Sequence, residues 1–390
     1  MRGSCAVSEP RRHLLVTNDF PPKLGGIQNY LWELWRRLDP DTYVVLTASS
    51  HPDAAGFDAE QAERGVRIVR VPGSILYFPS LATRRRVRAL AGEVGASLVV
   101  LDPVLPLGLL GPGLGIPYSV ILHGAEVAVP ARLPATRRML GHVLERASLV
   151  ISAGGYPAQE ALRAAGQRKP PVVEIPPGVD CDRLSPLNPE ERVAVRRRLG
   201  LPADGPLVVS VSRLVHRKGM DVLIEAARRL APSFPDLVVA IGGTGREEAA
   251  LSAQVNESGA PVRLLGRLDE EDKALLLGAA DVFAMLCRSR WLGLEQEGFG
   301  IVFLEAAAAG VPQVAGDSGG AAEAVEHGVT GLVVQRPENP AEVAQALREL
   351  LADGALRQRM GTAARRRAVA SFDYSRLAPR LARSLSDVSG

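Results

Sequence analysis

Leu207-Val-Val-Ser-Val-Ser-Arg213-Leu-Val-His-Arg217-Lys218-Gly219-Met220-Asp221-Val-Leu-Ile-Glu-Ala-Ala-Arg-Arg-Leu230 is the stretch on which the fold turns. It opens with a short β-branched run, as a strand buried on both faces does. A cationic loop with a glycine follows, and Asp221–Leu230 then reads as a helix. Strand, loop and helix make half of a βαβ unit, which commits the neighbouring strands to a parallel sheet.

The same rhythm extends in both directions. Upstream, strands are expected at His13–Asn18, Tyr43–Thr47, Val66–Val71, Leu98–Asp102, Ser119–His123, Leu149–Ser152 and Val172–Ile175. Ile27, Tyr30, Leu31, Leu34 and Leu38 recur at helical spacing after the first of them. Downstream, strands are expected at Leu237–Ile241, Val262–Leu265, Val282–Leu286, Pro312–Ala315 and Leu332–Val334, with helices such as Pro340–Leu351 between them. The chain is thus α/β, with two Rossmann-like, doubly wound parallel-sheet domains. Pro176, Pro177, Gly178, Pro186 and Pro189 punctuate the middle of the chain. The expected division is 1–185, 186–372, and a terminal helix over 373–390 able to pack back on the first domain.

Composition agrees with that class. A chain of 390 residues exceeds one ordinary core, and 46% apolar residues with only 4% aromatics suit cores of Ala, Val and Leu. A charge of +3, from 46 basic and 43 acidic residues, is too balanced for a dedicated nucleic-acid binder. Cys5, Cys181 and Cys287 are widely spaced, which argues against a disulfide framework or a zinc site and for a reducing cytoplasm. Met1–Arg12 is not followed by a signal-peptide core. Asp102 and four prolines interrupt the apolar stretch Ser97–Leu122, so it falls short of the about 20 residues a membrane span needs.

Chemistry is expected where strands meet loops. In Val16-Thr-Asn-Asp-Phe-Pro-Pro-Lys-Leu-Gly25-Gly26-Ile27 a glycine pair lies between the first strand and an amphipathic helix, where backbone N–H groups can meet an anion; an ordinary tight turn is the plainer reading. In Val120-Ile-Leu-His123-Gly124-Ala125-Glu126 a histidine emerges at a strand end. Arg213, Arg217 and Lys218 suggest an anion clamp, and Gly243 in Ile241-Gly-Gly-Thr-Gly245 belongs to either a turn or a ligand-facing loop. The richest segment is Glu295-Gln-Glu297-Gly-Phe-Gly-Ile-Val-Phe-Leu-Glu305. Glu297 is expected at the mouth of a helix that starts near Gly300, with Glu305 inside it and the N–H groups of Phe299, Gly300 and Ile301 aimed at a phosphate. Glu305 is embedded in apolar sequence, so an unpaired carboxylate there is costly unless a ligand or partner meets it.

These residues resemble glycosyltransferase family 4 over nearly the whole chain. The resemblance rests on Gly25-Gly26-Ile27, His123-Gly-Ala-Glu126, Arg213 with Lys218, the E-x7-E pair Glu297 and Glu305, and Ser318-Gly-Gly-Ala-Ala-Glu323. Within the family, Thr17–Gln28 and Asp281-Val-Phe-Ala-Met resemble actinobacterial phosphatidylinositol mannoside mannosyltransferases. The resemblance implies a GT-B fold, two domains about a central crevice, and retaining transfer of mannose from GDP-mannose to a mannosylated phosphatidylinositol. It implies no required metal or cofactor. Carried over by position, Arg213 and Lys218 hold the diphosphate, Glu305 the ribose, and His123 and Glu297 the transferred sugar. Gly25, Gly26 and Gly243 are also expected on the donor side, from their place in strand-end loops. A UDP-sugar donor with a polysaccharide or small-molecule acceptor, a catalytically silent nucleotide- or glycan-binding protein, and an epimerase stay open as alternatives.

Two features bear on the acceptor. Trp291 and Leu292 stand where the mannosyltransferases usually carry a glycine-rich approach, and Ala322 replaces their usual proline. Ile75-Leu-Tyr-Phe78 precedes Arg84, Arg85 and Arg88, an apolar tip with a cationic face suited to peripheral docking at the inner face of a cell membrane; a merely solvated helix, like Arg196–Arg198 or Arg365–Arg367, is the rival reading.

Overall fold

A computed structural model describes residues 12–23, 25–49, 51–72, 79–289 and 297–388. They fall into two compact units, Met1–Pro177 with Tyr374–Gly390, and Gly178–Asp373.

The first unit is built on β1 (Arg12–Thr17), β2 (Tyr43–Ser49), β3 (Arg67–Pro72), β4 (Ala96–Asp102), β5 (Tyr118–Leu122), β6 (Leu149–Ser152) and β7 (Val172–Glu174). All pair in parallel, in the order β3-β2-β1-β4-β5-β6-β7. The helices are α1 (Gly26–Trp35), α2 (Ala54–Glu63), α3 (Leu81–Glu93), α4 (Ala125–Arg132), α5 (Pro134–Leu144) and α6 (Gly155–Ala164). Every residue of β5 is buried, as a strand covered on both faces requires. Helix α1 buries Tyr30, Leu31, Leu34 and Trp35 on one stripe.

The second unit repeats the plan with β8 (Leu207–Val211), β9 (Val238–Gly242), β10 (Val262–Gly266), β11 (Val282–Met285), β12 (Gln313–Gly316) and β13 (Gly331–Val334). These are again parallel, in the order β10-β9-β8-β11-β12-β13. Its helices are α7 (Pro189–Arg198), α8 (Met220–Leu230), α9 (Glu248–Ser258), α10 (Glu270–Ala279), α11 (Ile301–Ala308), α12 (Ala321–Ala324), α13 (Pro340–Ala352) and α14 (Gly354–Arg367). The strand order reverses beside β1 in one sheet and beside β8 in the other, the switch points where open α/β sheets bind ligands.

The division differs from the expected 185/186. Val179, Cys181 and Leu184 are buried in the core of the second unit, and Arg365 reaches the carbonyls of Cys181 and Leu184 at 2.9 and 2.5 Å. Proline punctuation marked the connection; burial decides which unit owns it. At the other end a π-helical turn, Ala368–Phe372, separates α14 from α15 (Tyr374–Val388). Tyr374, Leu377, Ala378, Leu381 and Leu385 of α15 join the first unit's cluster with Leu15, Leu31 and Leu34. The Arg37 guanidinium lies 5.1 Å over the Tyr374 ring.

The arginine-rich segments are not simply solvated. Arg196 is buried and, with Arg192, grips Asp281, whose other donor is the Leu207 N–H. These contacts fasten α7 to the sheet and hold the Asp281 carboxyl below its ordinary value: burial alone would raise it, and the two guanidiniums and the Leu207 N–H outweigh that. Arg367 donates to the carbonyls of Glu323 and Ala324, both at 2.7 Å.

Candidate active site

In the second unit the site begins where β8 ends. The loop after it closes as a 3-10 turn over His216–Lys218, and Gly219, at φ +70°, passes the chain into α8. A side chain at Gly219 would run into the Leu286 carbonyl, so only glycine fits between the two strand ends. The turn delivers Lys218, buried, and Arg217 to one oxygen of Glu297: Nζ at 2.6 Å and Nη1 at 2.8 Å from Oε2. The Cys287 thiol, just beyond β11, adds a third donor to Oε2 at 3.3 Å. Oε1 accepts no hydrogen bond from the described residues, so one oxygen is fixed and the other has no protein donor among them. Burial would raise the Glu297 carboxyl; Lys218 and Arg217 more than offset it, so the net direction is down.

The backbone of Glu297 is clamped as well. Its N–H donates to Ser318 Oγ at 3.3 Å and its carbonyl accepts from Gly320 N–H at 3.0 Å. An added Cβ at Gly320 would strike the Gly298 carbonyl. The Ser318-Gly-Gly turn therefore holds the glutamate in place. Gly300, at φ +79°, then starts α11, and a side chain there would meet the Phe303 ring at 2.7 Å.

In the first unit, β1, β4 and β5 end together. His123 Nε2 lies 2.6 Å from Asp102 Oδ1, and Thr17 Oγ1 donates to Asp102 Oδ2 at 2.6 Å. Asp102 is fully buried. Tyr30 sets its ring edge-on to His123, with centroids 5.5 Å apart, and anchors its hydroxyl on the Ile175 carbonyl at 2.8 Å. Burial alone would lower the imidazole pKa; Asp102, helped by Glu126 and Asp19, outweighs it and raises the value above 6.5. Nε2–H donates to Asp102, and Nδ1 has no hydrogen-bond partner among the described residues. Glu126 Oε1 accepts from the His123 and Gly124 N–H groups and holds the loop.

A family model described as "Glycosyltransferase Family 4" matches residues 24–183, and one described as "Glycosyl transferases group 1" matches residues 191–367. The chain is 38% identical over 379 residues to the GDP-mannose-dependent alpha-(1-6)-phosphatidylinositol monomannoside mannosyltransferase of Mycolicibacterium smegmatis, covering 96% of this chain and 98% of the relative. It is 35% identical, with the same coverage, to the monoacylated alpha-(1-6)-phosphatidylinositol monomannoside mannosyltransferase of Corynebacterium glutamicum. The chain belongs to glycosyltransferase family 4. The fold of this glycosyltransferase is GT-B, two Rossmann-like parallel-sheet units, and it resembles that of Anabaena Alr3699/HepE in complex with UDP. That likeness has a TM-score of 0.79 at 23% identity, covering 97% of this chain and 100% of the other.

The remaining expected residues of the glycosyltransferase are placed as follows. Arg213 is exposed and has no ion-pair partner among the described residues; it does not share the Glu297 cluster with Lys218. Glu305 is the fifth residue of α11, and its partner is Lys273, at 2.8 Å. That lysine lies 32 positions away, so the sequence could not name it. Gly243, at φ +128°, would strike the Ser212 carbonyl if it carried a Cβ, so close packing of two loops explains this glycine. An added Cβ would meet nothing at Gly26 and the Gln28 amide at Gly25. Arg85 and Arg88 are exposed beside Leu81, whereas Arg84 turns inward toward the Leu109 carbonyl at 3.5 Å. Leu24, Ile75–Phe78, Trp291, Leu292, Glu295 and Gln296 lie outside the described residues.

Asp102 was missed as a site residue, although an acid ending the apolar run Leu98–Leu101 was a usable signal. Arg217 was visible in the cationic loop, but nothing in sequence separates a lysine-flanking arginine that points inward from one that points to water.

Proposed function

We propose that this glycosyltransferase moves mannose from GDP-mannose to a phosphatidylinositol mannoside, with retention of configuration. The observation that carries the reading is the Glu297 cluster: a carboxylate with one oxygen fixed by Lys218, Arg217 and Cys287 and the other open, at the mouth of α11. Oε1 accepts a hydroxyl of the transferred sugar. Lys218, Arg217 and Arg213, with the N-terminal N–H groups of α11 around Phe299 and Ile301, supply positive potential for the departing diphosphate. Glu305, oriented by Lys273, takes the ribose hydroxyls. His123 donates to the sugar through Nδ1, while Asp102 keeps it charged and aligned. The acceptor hydroxyl attacks from the face the diphosphate leaves. Full-length likeness to the two named mannosyltransferases supports the choice of donor and acceptor.

The acceptor brings the enzyme to a lipid surface. No described helix is long and apolar enough to cross a membrane, so the contact is assigned to the exposed Leu81, Arg85 and Arg88 face of α3. The deciding experiment follows nucleoside diphosphate release from GDP-mannose, UDP-glucose and UDP-N-acetylglucosamine, each with and without phosphatidylinositol monomannoside. Turnover is expected with GDP-mannose and acceptor together. Equal turnover with a UDP-sugar, or without acceptor, refutes the reading.

A further inference from the structure

A cavity of about 550 Å³ opens in the second unit at the opposite end of the strands from Glu297. Asp281, which precedes β11, and Pro312, which precedes β12, line it, whereas the Lys218 and Cys287 loops leave the other ends of β8 and β11. Its volume is in the range of small-molecule pockets.

Three arginines line it: Arg192, Arg357 and Arg365. Each is held by protein oxygens. Arg357 Nη1 donates to the carbonyls of Leu350 and Leu351 at 2.7 and 2.8 Å, and Arg365 to those of Ala308, Leu184 and Cys181. Backbone carbonyls orient a guanidinium without cancelling its charge. The cavity's carboxylate, Asp281, is shared between Arg192 and Arg196, and among the described residues Arg357 and Arg365 have no carboxylate partner. Positive charge therefore exceeds negative charge in a concave, pre-set site. Nη1 of Arg192, Nη2 of Arg357 and Nε of Arg365 are all without a protein acceptor among the described residues. At the rim, the exposed side chains of Gln358 and Thr362 can reach an anion entering from solvent.

We propose that this cavity binds a soluble phosphate-bearing small molecule, with its phosphate oxygens on Arg192, Arg357 and Arg365, at a site separate from the donor site. Fixed guanidiniums match a phosphate with several oxygens better than they match chloride. The site makes no demand on the identity of the sugar donor; only the second, Arg213-sensitive event in the test below rests on the proposed function, and the rim-sensitive event stands without it.

The test titrates sodium pyrophosphate into the full-length protein by calorimetry, at an ionic strength held constant with sodium chloride. Two binding events are expected in the wild type. Thr362→Glu, an exposed position that places a negative charge at the rim, is expected to weaken one of them at least about tenfold. Arg213→Ala, beyond the other end of the strands, is expected to leave that event intact and weaken the other. Gln358→Glu serves as a second rim variant should Thr362→Glu fail to fold. Wild-type binding in both rim variants, loss of all binding in Arg213→Ala, or a rim-sensitive interaction with phosphatidylglycerol vesicles but none with pyrophosphate, each overturns the proposal.

Discussion

Lys218 Nζ sits 2.6 Å from Glu297 Oε2, with both side chains 9% exposed. The ion pair is thus nearly dehydrated, and removing either partner leaves a buried charge with less compensation. It also makes the expected diphosphate ligand and the expected sugar ligand direct neighbours, so a change at one is felt at both.

Removing the lysine should therefore cost both stability and rate. Lys218→Ala leaves Glu297 with Arg217 and the thiol, and a loss of about 3 kcal/mol is expected, at the lower end for breaking a buried pair because one cation remains. Turnover should fall at least about a hundredfold. Denaturant melts separate the two effects: a fully folded variant with a near-normal kcat would rule out a role for Lys218 at the leaving group.

Glu297→Gln keeps the shape while losing the charge. It should lower kcat more than it raises the KM for donor, because Oε1 is assigned to the sugar in the transition state. A change confined to KM would contradict that assignment.

His123 is held above 6.5 by its carboxylate neighbours. A raised folded value contributes stability that is full below pH 6.5 and fades as pH rises through the folded pKa. Activity that needs the imidazolium should lose its alkaline limb at that same pKa. Asp102→Asn removes the principal cause, so the limb should move to lower pH and kcat should fall. An NMR titration of the His123 ring checks the shift directly; an unchanged titration would refute the pairing.

His13 does the reverse. It is buried beneath Trp35, whose indole N–H donates to Nε2 at 3.0 Å, and burial drives its pKa down to about 4, against a smaller raising contribution from the Thr42 backbone. With a depressed folded value, the unfolded chain binds the extra proton. Stability is full above pH 6.5 and is lost as pH falls toward 4, by about 3 kcal/mol in all. His13→Gln, which can still accept from Trp35, should flatten the pH dependence of Tm across that window. A slope equal to wild type would locate the acid sensitivity elsewhere.

Arg85→Glu with Arg88→Glu should abolish flotation with anionic liposomes and leave turnover of a detergent-dispersed acceptor near normal, whereas Arg84→Glu should chiefly destabilise the contact with the Leu109 carbonyl. Unchanged flotation of the double variant would detach α3 from the membrane.

Much of this was legible in the sequence because it is written in local pattern. Each of the strand segments expected from β-branched runs lies on a strand, since parallel strands covered on both faces are predominantly apolar; β5 and β8 are buried at every position, with one small serine each, Ser119 and Ser210. The positions of Glu297, Lys218 and His123 at loop and helix mouths followed from the same periodicity. Pairing was different. Asp102 with His123, Lys273 with Glu305, and Arg217 with Glu297 each join residues 21 to 80 positions apart. No local signal specifies which of several charges meets which.

The sequence by itself determined the α/β repetition, the family and the residue types at the strand ends, because hydrophobic period and glycine placement are read one segment at a time. Only the tertiary structure decided that residues 178–185 belong with the second unit, that Arg84 points inward, and that Oε2 of Glu297 is fixed while Oε1 is open. Those outcomes depend on which surfaces are buried together and which charges are desolvated, and burial is a property of the packed chain rather than of any stretch of it.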